Sequence, residues 1–124
     1  MTMGLMGGDM QAQGHAQMFV NILDQGANLQ ASTDMARFYH SEVPNTLTLE
    51  SRLFNLVGPI LKGMGHNVQS GNGGPMGGYQ AIMYTADPTG AQGCSPTDRS
   101  CTEPINGFYR AGSDLRKDGE AVGW

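Results

Sequence analysis

The stretch "GLMGGDMQAQGHAQ", residues 4–17, sets two adjacent glycines between a short apolar run and an amide-rich segment. Glycine reaches positive φ without a Cβ penalty and leaves its amide N–H unshielded. Gly7 and Gly8 therefore read as a tight turn between a strand at residues 2–6 and a helix. The helix is expected from about Gln11 to Gln25, where Ala16, Phe19, Val20 and Leu23 recur at helical spacing and define one buried stripe. Asp9 stands where a side chain can cap the amides of the first turn. Gly26 stands where glycine commonly ends a helix.

Outward from that turn, a second short helix is expected at about Leu29 to Ala36. Pro44 and Asn45 mark a turn, and "TLTLE" (46–50) alternates like a half-buried strand. A helix follows from about Arg52 to Gly63. Leu53, Leu56, Val57, Ile60 and Leu61 share one side of it, and Pro59 is placed to kink it or delay its start. "HNVQS" (66–70) reads as a short strand. "GNGGPMGG" (71–78) lacks the Lys-Ser/Thr of a phosphate loop and reads as a surface turn. "GYQAIMYTA" (78–86) is nearly continuous in apolar and aromatic residues, which predicts a central strand. "GFYRAGSD" (107–114) is its expected partner, and residues 87–106 between them form a polar loop. "LRKDGEAVGW" closes with a turn and a short strand. This alternation of strands and helices predicts one α+β layered domain over residues 1–124. Its first and last strands look like interior pieces of a larger sheet.

Composition narrows the function classes. The 124 residues suit one modest domain, and their net charge of -4 argues against a nucleic-acid surface. No apolar run approaches the ~18–20 residues of a membrane span, and "MTMGLMGG" is not a secretory signal. Without a signal peptide, the compartment is open between cytoplasmic and periplasmic. Cys94 and Cys101 either close a small disulfide in an oxidising compartment or stand as two free thiols.

Few side chains suggest chemistry. On the residues alone, the Gly7–Gly8 turn is either structural or a backbone site for an oxyanion, helped by the positive end of the following helix. His15 lacks a visible nucleophile partner and orienting carboxylate, and reads as a polar helix-face residue. His40 and His66 read as surface or turn residues. The three histidines share no metal spacing, so neither metal nor cofactor is expected. Asp34 and Arg37, three apart, read as a local ion pair. Asp114, Arg116 and Asp118 read as turn residues. No Ser, Thr or Cys pairs with both a base and an oxyanion donor. A Thr working through its own α-amine must be N-terminal, and Thr2 would qualify only after loss of Met1.

Longer segments carry a family resemblance. "MGLMGGDMQAQGHAQMFVNILDQGANLQASTDMARFYH" (3–40) resembles the γ-glutamyltransferase family, with its Gly-Gly pair, Gln-rich helix start, "NxxDxGxNxQ" stretch and "Asp-Ala-Pro-Arg" segment. "YRAGSDLRKDGEAVGW" is similar to that family's closing "GASDPRKDGxAxGY", and "GYQAIMY" to its penultimate strand. The likeness covers nearly the whole chain except residues 87–106, an inserted loop. It implies a partial αββα sandwich of the N-terminal-nucleophile hydrolases, the C-terminal part of the small subunit.

By resemblance, Gly7 and Gly8 match the pair whose amides form the oxyanion hole. The attacking N-terminal Thr, its partner Thr and the residues gripping glutamate would lie upstream, with the large subunit and the start of the small one as partners. The isolated chain is then expected to have no turnover. Leu5-Met6 replaces the Ser-Pro of the classical transferases, which suits the branch acting on γ-glutamyl or other amides. Met35-Ala36 replaces Ala-Pro, and Leu115 replaces Pro. As an alternative, strands 78–86 and 107–114 would expose edges that favour a self-associating, non-catalytic homo-oligomer.

Overall fold

The apolar run 78–86 becomes the middle strand of a sheet, as its two-sided composition requires. The computed structural model describes residues 1–71, 76–87 and 93–122. In chain order the elements are β1 (Thr2–Met6), α1 (Met10–Phe19), a π-turn (Val20–Asp24), α2 (Leu29–Asp34), β2 (Phe38–Ser41), β3 (Thr46–Glu50), α3 (Ser51–Gly63), β4 (Val68–Gly71), β5 (Gly78–Ala86) and β6 (Gly107–Ser113). The first sheet has the order β1-β5-β6, antiparallel throughout, with Met6 opposite Gly78 and Gln80 opposite Ser113. The second has the order β2-β3-β4. There β2 and β3 form a hairpin, and β3 and β4 are parallel with α3 as their crossover.

The core lies between one face of the first sheet and helices α1 and α2. Leu5, Tyr79 and Ala81 from the sheet meet Met10, Met18 and Leu29 from the helices, with Met76 beneath. The opposite face of that sheet is barely covered: Ile82 is 47% exposed and Tyr109 52%. Two sheets with helices make the fold α+β, as expected.

Several local expectations are corrected. The stripe Ala16, Phe19, Val20, Leu23 faces outward, with Leu23 71% exposed. The buried face of α1 is instead Met10, Gly14 and Met18, and the π-turn then brings Asn21 inward, its Nδ2 donating to Ser32 O at 3.3 Å. Glycine and methionine carry that face because Leu5 fills the notch left by Gly14, and a periodicity of large apolar residues does not see it. Asp9 precedes α1 with helical backbone angles, and its side chain caps nothing. Asn28 caps α2 through Oδ1, which accepts from Ala31 N at 2.8 Å. Pro59 lies inside α3 without delaying its start at Ser51. Met76, Gly77 and Gly78 are buried rather than part of a surface turn; positions 72–75 of that segment lie outside the described residues. β2 was not anticipated. No strand forms over residues 115–122, and the last two residues lie outside the described ones. Cys94 and Cys101 form a disulfide, which resolves the open alternative.

The Leu5–Gly14 contact decides the sign of a substitution. Gly→Ala inside a helix ordinarily stabilises by about 1 kcal/mol. At Gly14 the new Cβ would lie 2.5 Å from Leu5 Cδ1 and 3.0 Å from Cδ2, in a side chain that is itself buried. Overpacking of this kind costs ~1–3 kcal/mol. Gly14→Ala is therefore expected to destabilise by about 1 kcal/mol net, with partial recovery in Gly14→Ala/Leu5→Val, both measured by urea unfolding.

Candidate functional site

The Gly7–Gly8 turn sits between the end of β1 and the N-terminus of α1. Gly7 has φ 142° and Gly8 φ 57°, and both are exposed. Their carbonyls accept from Met10 N (3.1 Å) and Gln11 N (3.0 Å), which starts the helix. Among the described residues, neither amide N–H donates a hydrogen bond. The two positions differ in surroundings. A Cβ on Gly7 would meet Gly77 Cα at 2.9 Å, whereas one on Gly8 would meet nothing within 4 Å. Gly7 is thus held against the backbone of Gly77, and Gly8 borders open space.

Behind that contact lies a buried ionic cluster that joins four parts of the chain. Arg37, from the link between α2 and β2, is fully buried. Its Nη1 donates to Met76 O at 2.9 Å and its Nη2 to Thr33 O at 3.2 Å. Nη2 also pairs with Asp114 Oδ2, just beyond β6. Asp114 Oδ2 accepts from Tyr79 N at 2.9 Å, and Oδ1 accepts from Arg116 N (2.9 Å) and Arg116 Nη1 (3.1 Å). Arg116 makes a two-point fork onto Glu50 at the end of β3, with Nε to Oε1 and Nη2 to Oε2 both at 2.5 Å. Glu50 Oε2 also accepts from Arg37 N at 2.8 Å. Bidentate geometry of this kind is what makes guanidinium–carboxylate pairs strong.

This cluster corrects two expectations. Arg37 pairs with Asp114, 77 positions away, and not with Asp34. The Asp34 carboxylate accepts from Gln30 Nε2 at 3.0 and 3.2 Å instead. Asp114 and Arg116 do sit at a turn, yet their main contacts are long-range. Spacing along the chain could not reveal them.

The titration of the cluster follows its burial and pairing. Burial is the largest influence on Arg37 and pulls its pKa below the ordinary value, against the opposing charge of Asp114. Burial is also the largest influence on Arg116, but the bonds and charges of Glu50 and Asp114 outweigh it and raise that pKa. For Asp114 and Glu50 burial pushes upward, and donated hydrogen bonds and the guanidinium charges bring both below the usual carboxylate value.

The histidines lie outside this arrangement. His15 Nδ1 is bonded to Gln11 O at 2.7 Å, His40 Nε2 to Asn45 Oδ1 at 2.9 Å, and His66 N donates to Leu61 O at 3.0 Å. Among the described residues no group of His, Cys, Asp or Glu is arranged to hold a metal ion. A cleft of about 560 Å³ opens beside the turn, lined by Asp9, Gln13, Tyr39, His40, Ser41 and Glu42 among others.

The family model for gamma-glutamyltranspeptidase matches residues 1–124. The chain belongs to that family. No curated protein matches it. Among solved structures, cephalosporin acylase from Bacillus halodurans aligns with a TM-score of 0.73 and 29% identity, over 98% of this chain and 19% of that one. A Helicobacter pylori gamma-glutamyltranspeptidase aligns with a TM-score of 0.71 and 20% identity, over 93% of this chain and 53% of that one. The Bacillus anthracis transpeptidase CapD gives 0.70 and 20%, over 98% and 61%. The chain therefore spans between a fifth and three-fifths of the length of these structures. Their shared architecture bears out the partial N-terminal-nucleophile hydrolase sandwich. The ionic cluster joins the two Arg-bearing segments that carry the family likeness, residues 34–37 and 113–118.

Removing one partner of a buried pair strands the other and costs ~3–5 kcal/mol. Asp114→Asn is expected to lose that much in urea unfolding, a large share of the ~5–15 kcal/mol that holds a domain together. Asp114 and Glu50 titrate lower folded than unfolded, so their contribution is complete above the unfolded-state value near ~4. It drains as pH falls through the folded values. The acid limb of the stability curve should therefore begin near pH ~4 and become shallower in Glu50→Gln.

Proposed function

We propose that this chain supplies the oxyanion-stabilising part of an amide hydrolase or acyltransferase of the gamma-glutamyltranspeptidase type. Gly7 and Gly8 are its backbone donors. The single observation that carries this reading is a pair of glycine amides at a helix N-terminus, with no acceptor among the described residues; the sequence resemblance sets the same pair against the family's Gly-Gly.

The chemistry follows from that placement. A nucleophilic N-terminal Thr, on polypeptide outside these residues, adds its hydroxyl oxygen to the amide carbon of the substrate, and its hydroxyl proton passes to its own α-amine and from there to the leaving nitrogen. The carbonyl electrons move onto oxygen, and the negative charge develops next to the Gly7 and Gly8 N–H groups and the positive end of α1. Collapse of the tetrahedral intermediate expels the protonated amine and leaves an acyl-enzyme. Water or an acceptor amine then takes the acyl group. The substrate is a γ-glutamyl or related amide. Leu5-Met6 in place of Ser-Pro favours amides other than those of the classical transferases. The partners are the large subunit and the nucleophile-bearing part of the small subunit.

A chromogenic γ-glutamyl anilide tests this. The purified chain alone should release no aniline, and the assembled enzyme should. In the assembled enzyme Gly8→Ala keeps the amide but strains a backbone held at φ 57°, and the displaced donor is expected to lower kcat by up to about 10² with KM nearly unchanged. Release by the chain alone, or an unchanged kcat in Gly8→Ala, would overturn the reading.

The bare face of the first sheet favours a second reading, a module that self-associates. Ile82, Tyr109 and Val122 lie exposed there, and among the described residues no strand pairs with the outer edges of β1 and β6; along β6 Gln30 engages only Ser113. Light scattering of the chain alone should show a dimer or larger species; a monodisperse monomer at millimolar concentration would count against it.

A further inference from the structure

Among the described residues no strand neighbours the outer edge of β2, yet its outward-facing groups are all engaged. Gln13 Nε2 donates to His40 O at 2.8 Å, and His40 N donates to Gln13 Oε1 at 2.8 Å. Gln17 repeats the pattern on Phe38, with Nε2 to Phe38 O at 2.8 Å and Phe38 N to Oε1 at 3.0 Å. Each carboxamide turns one N–H donor and its acceptor oxygen toward β2, as a peptide unit of an adjacent strand would, and Gln17 Nε2 also donates to Gln13 O at 3.2 Å. The spacing fits as well. Four residues of helix rise about 6.0 Å, and two residues of strand advance about 6.6 Å. Two glutamines one helical turn apart therefore meet alternate residues of a strand.

This pairing ties α1 to the second sheet, while its Met10–Gly14–Met18 face binds it to the first. Helix α1 begins two positions after Gly8. We propose that Gln13 and Gln17 are positioning residues for the Gly7 and Gly8 amides: together they form a two-rung substitute strand that fixes the entry of α1. The proposal rests on the oxyanion reading of that turn for its functional meaning, though the pairing itself does not.

Amide exchange and chemical shifts of the full 124-residue chain test it. In the wild type the Phe38 and His40 amides should be protected. In Gln13→Met/Gln17→Met, which keeps side-chain length, both should exchange at least about tenfold faster. The Gly7 and Gly8 amide resonances should shift and broaden, while those of Tyr79 and Asp114 stay in place. Gln13→Glu/Gln17→Glu keeps the acceptors and loses the donors at neutral pH, and protonating the new carboxyls restores a donor. Its Gly7 and Gly8 resonances should therefore return toward wild type as pH is lowered toward the ordinary Glu value of ~4.3, read as the difference from the wild type over the same range, a pH profile that loss of packing would not produce. Unprotected Phe38 and His40 in the wild type, or glycine resonances indifferent to both variants, would overturn the proposal. In the assembled enzyme the methionine variant should lower kcat and spare KM. If the glycine resonances respond to the variants but Gly8→Ala leaves kcat intact, the oxyanion reading fails and the positioning role stands.

Discussion

The structure depends on placing the Arg37 guanidinium out of water, against the ends of several strands. A buried charge is tolerated only when it is paired and its hydrogens are used. Arg37 meets that condition through its two Nη groups, which gather Met76 O, Thr33 O and the Asp114 carboxylate, and leaves its buried Nε without a hydrogen-bond partner among the described residues. Asp114 draws in Tyr79 N and Arg116, and Arg116 draws in Glu50. The start of β5 and the ends of β3, α2 and β6 are thereby fixed at one point. Hydrophobic burial holds the helices on the first sheet, and this cluster sets how the second sheet sits beside it. The backbone at residues 76–77, against which Gly7 packs, hangs from the same guanidinium.

Much of the scaffold was legible because it obeys simple periodicities. The strand at 78–86 announced itself by unbroken apolar character, and 46–50 by alternation. The Gly7–Gly8 turn was found because adjacent glycines between a strand and a helix have few other uses. What escaped were features whose partners are far apart in sequence. Arg37 and Asp34 are three apart and opposite in charge, so local reasoning joined them, whereas low dielectric and multiple acceptors direct Arg37 to Asp114. β2 escaped because Phe-Tyr-His-Ser shows no apolar–polar alternation and none of its residues is fully buried; its hydrogen bonds come from β3 on one side and from two glutamines on the other.

The inverted reading of α1 has a related cause. Large apolar residues usually mark the buried side of a helix, and here Phe19, Val20 and Leu23 lie outside. The inward face is built for close approach: Gly14 admits Leu5, and flexible methionines fill what remains. Similar economy operates at Gly77, where a Cβ would fall 2.4 Å from Met6 O. Backbone against backbone needs less side-chain volume, so the apolar pattern weakens where the packing is tightest. Large apolar residues left outside α1, and on the bare face of the first sheet, are consistent with a chain that spans only part of the length of its solved relatives.

The charge balance of the cluster bears on the turn it supports. Two guanidiniums and two carboxylates leave no net charge behind the Gly7–Gly8 amides, so the cluster can hold residues 76–78 rigidly without imposing a strong field on the turn. A surplus carboxylate there would oppose an anion at the glycines. A surplus guanidinium would attract anions indiscriminately, including ones that compete with a substrate. The remaining local polarity comes from the amides themselves and the helix end, which act over the first turn only. Backbone donors do not change protonation state. A site built on them keeps its strength across the range in which Asp114 and Glu50 stay ionised, and it weakens when their protonation releases the backbone that Gly7 rests on.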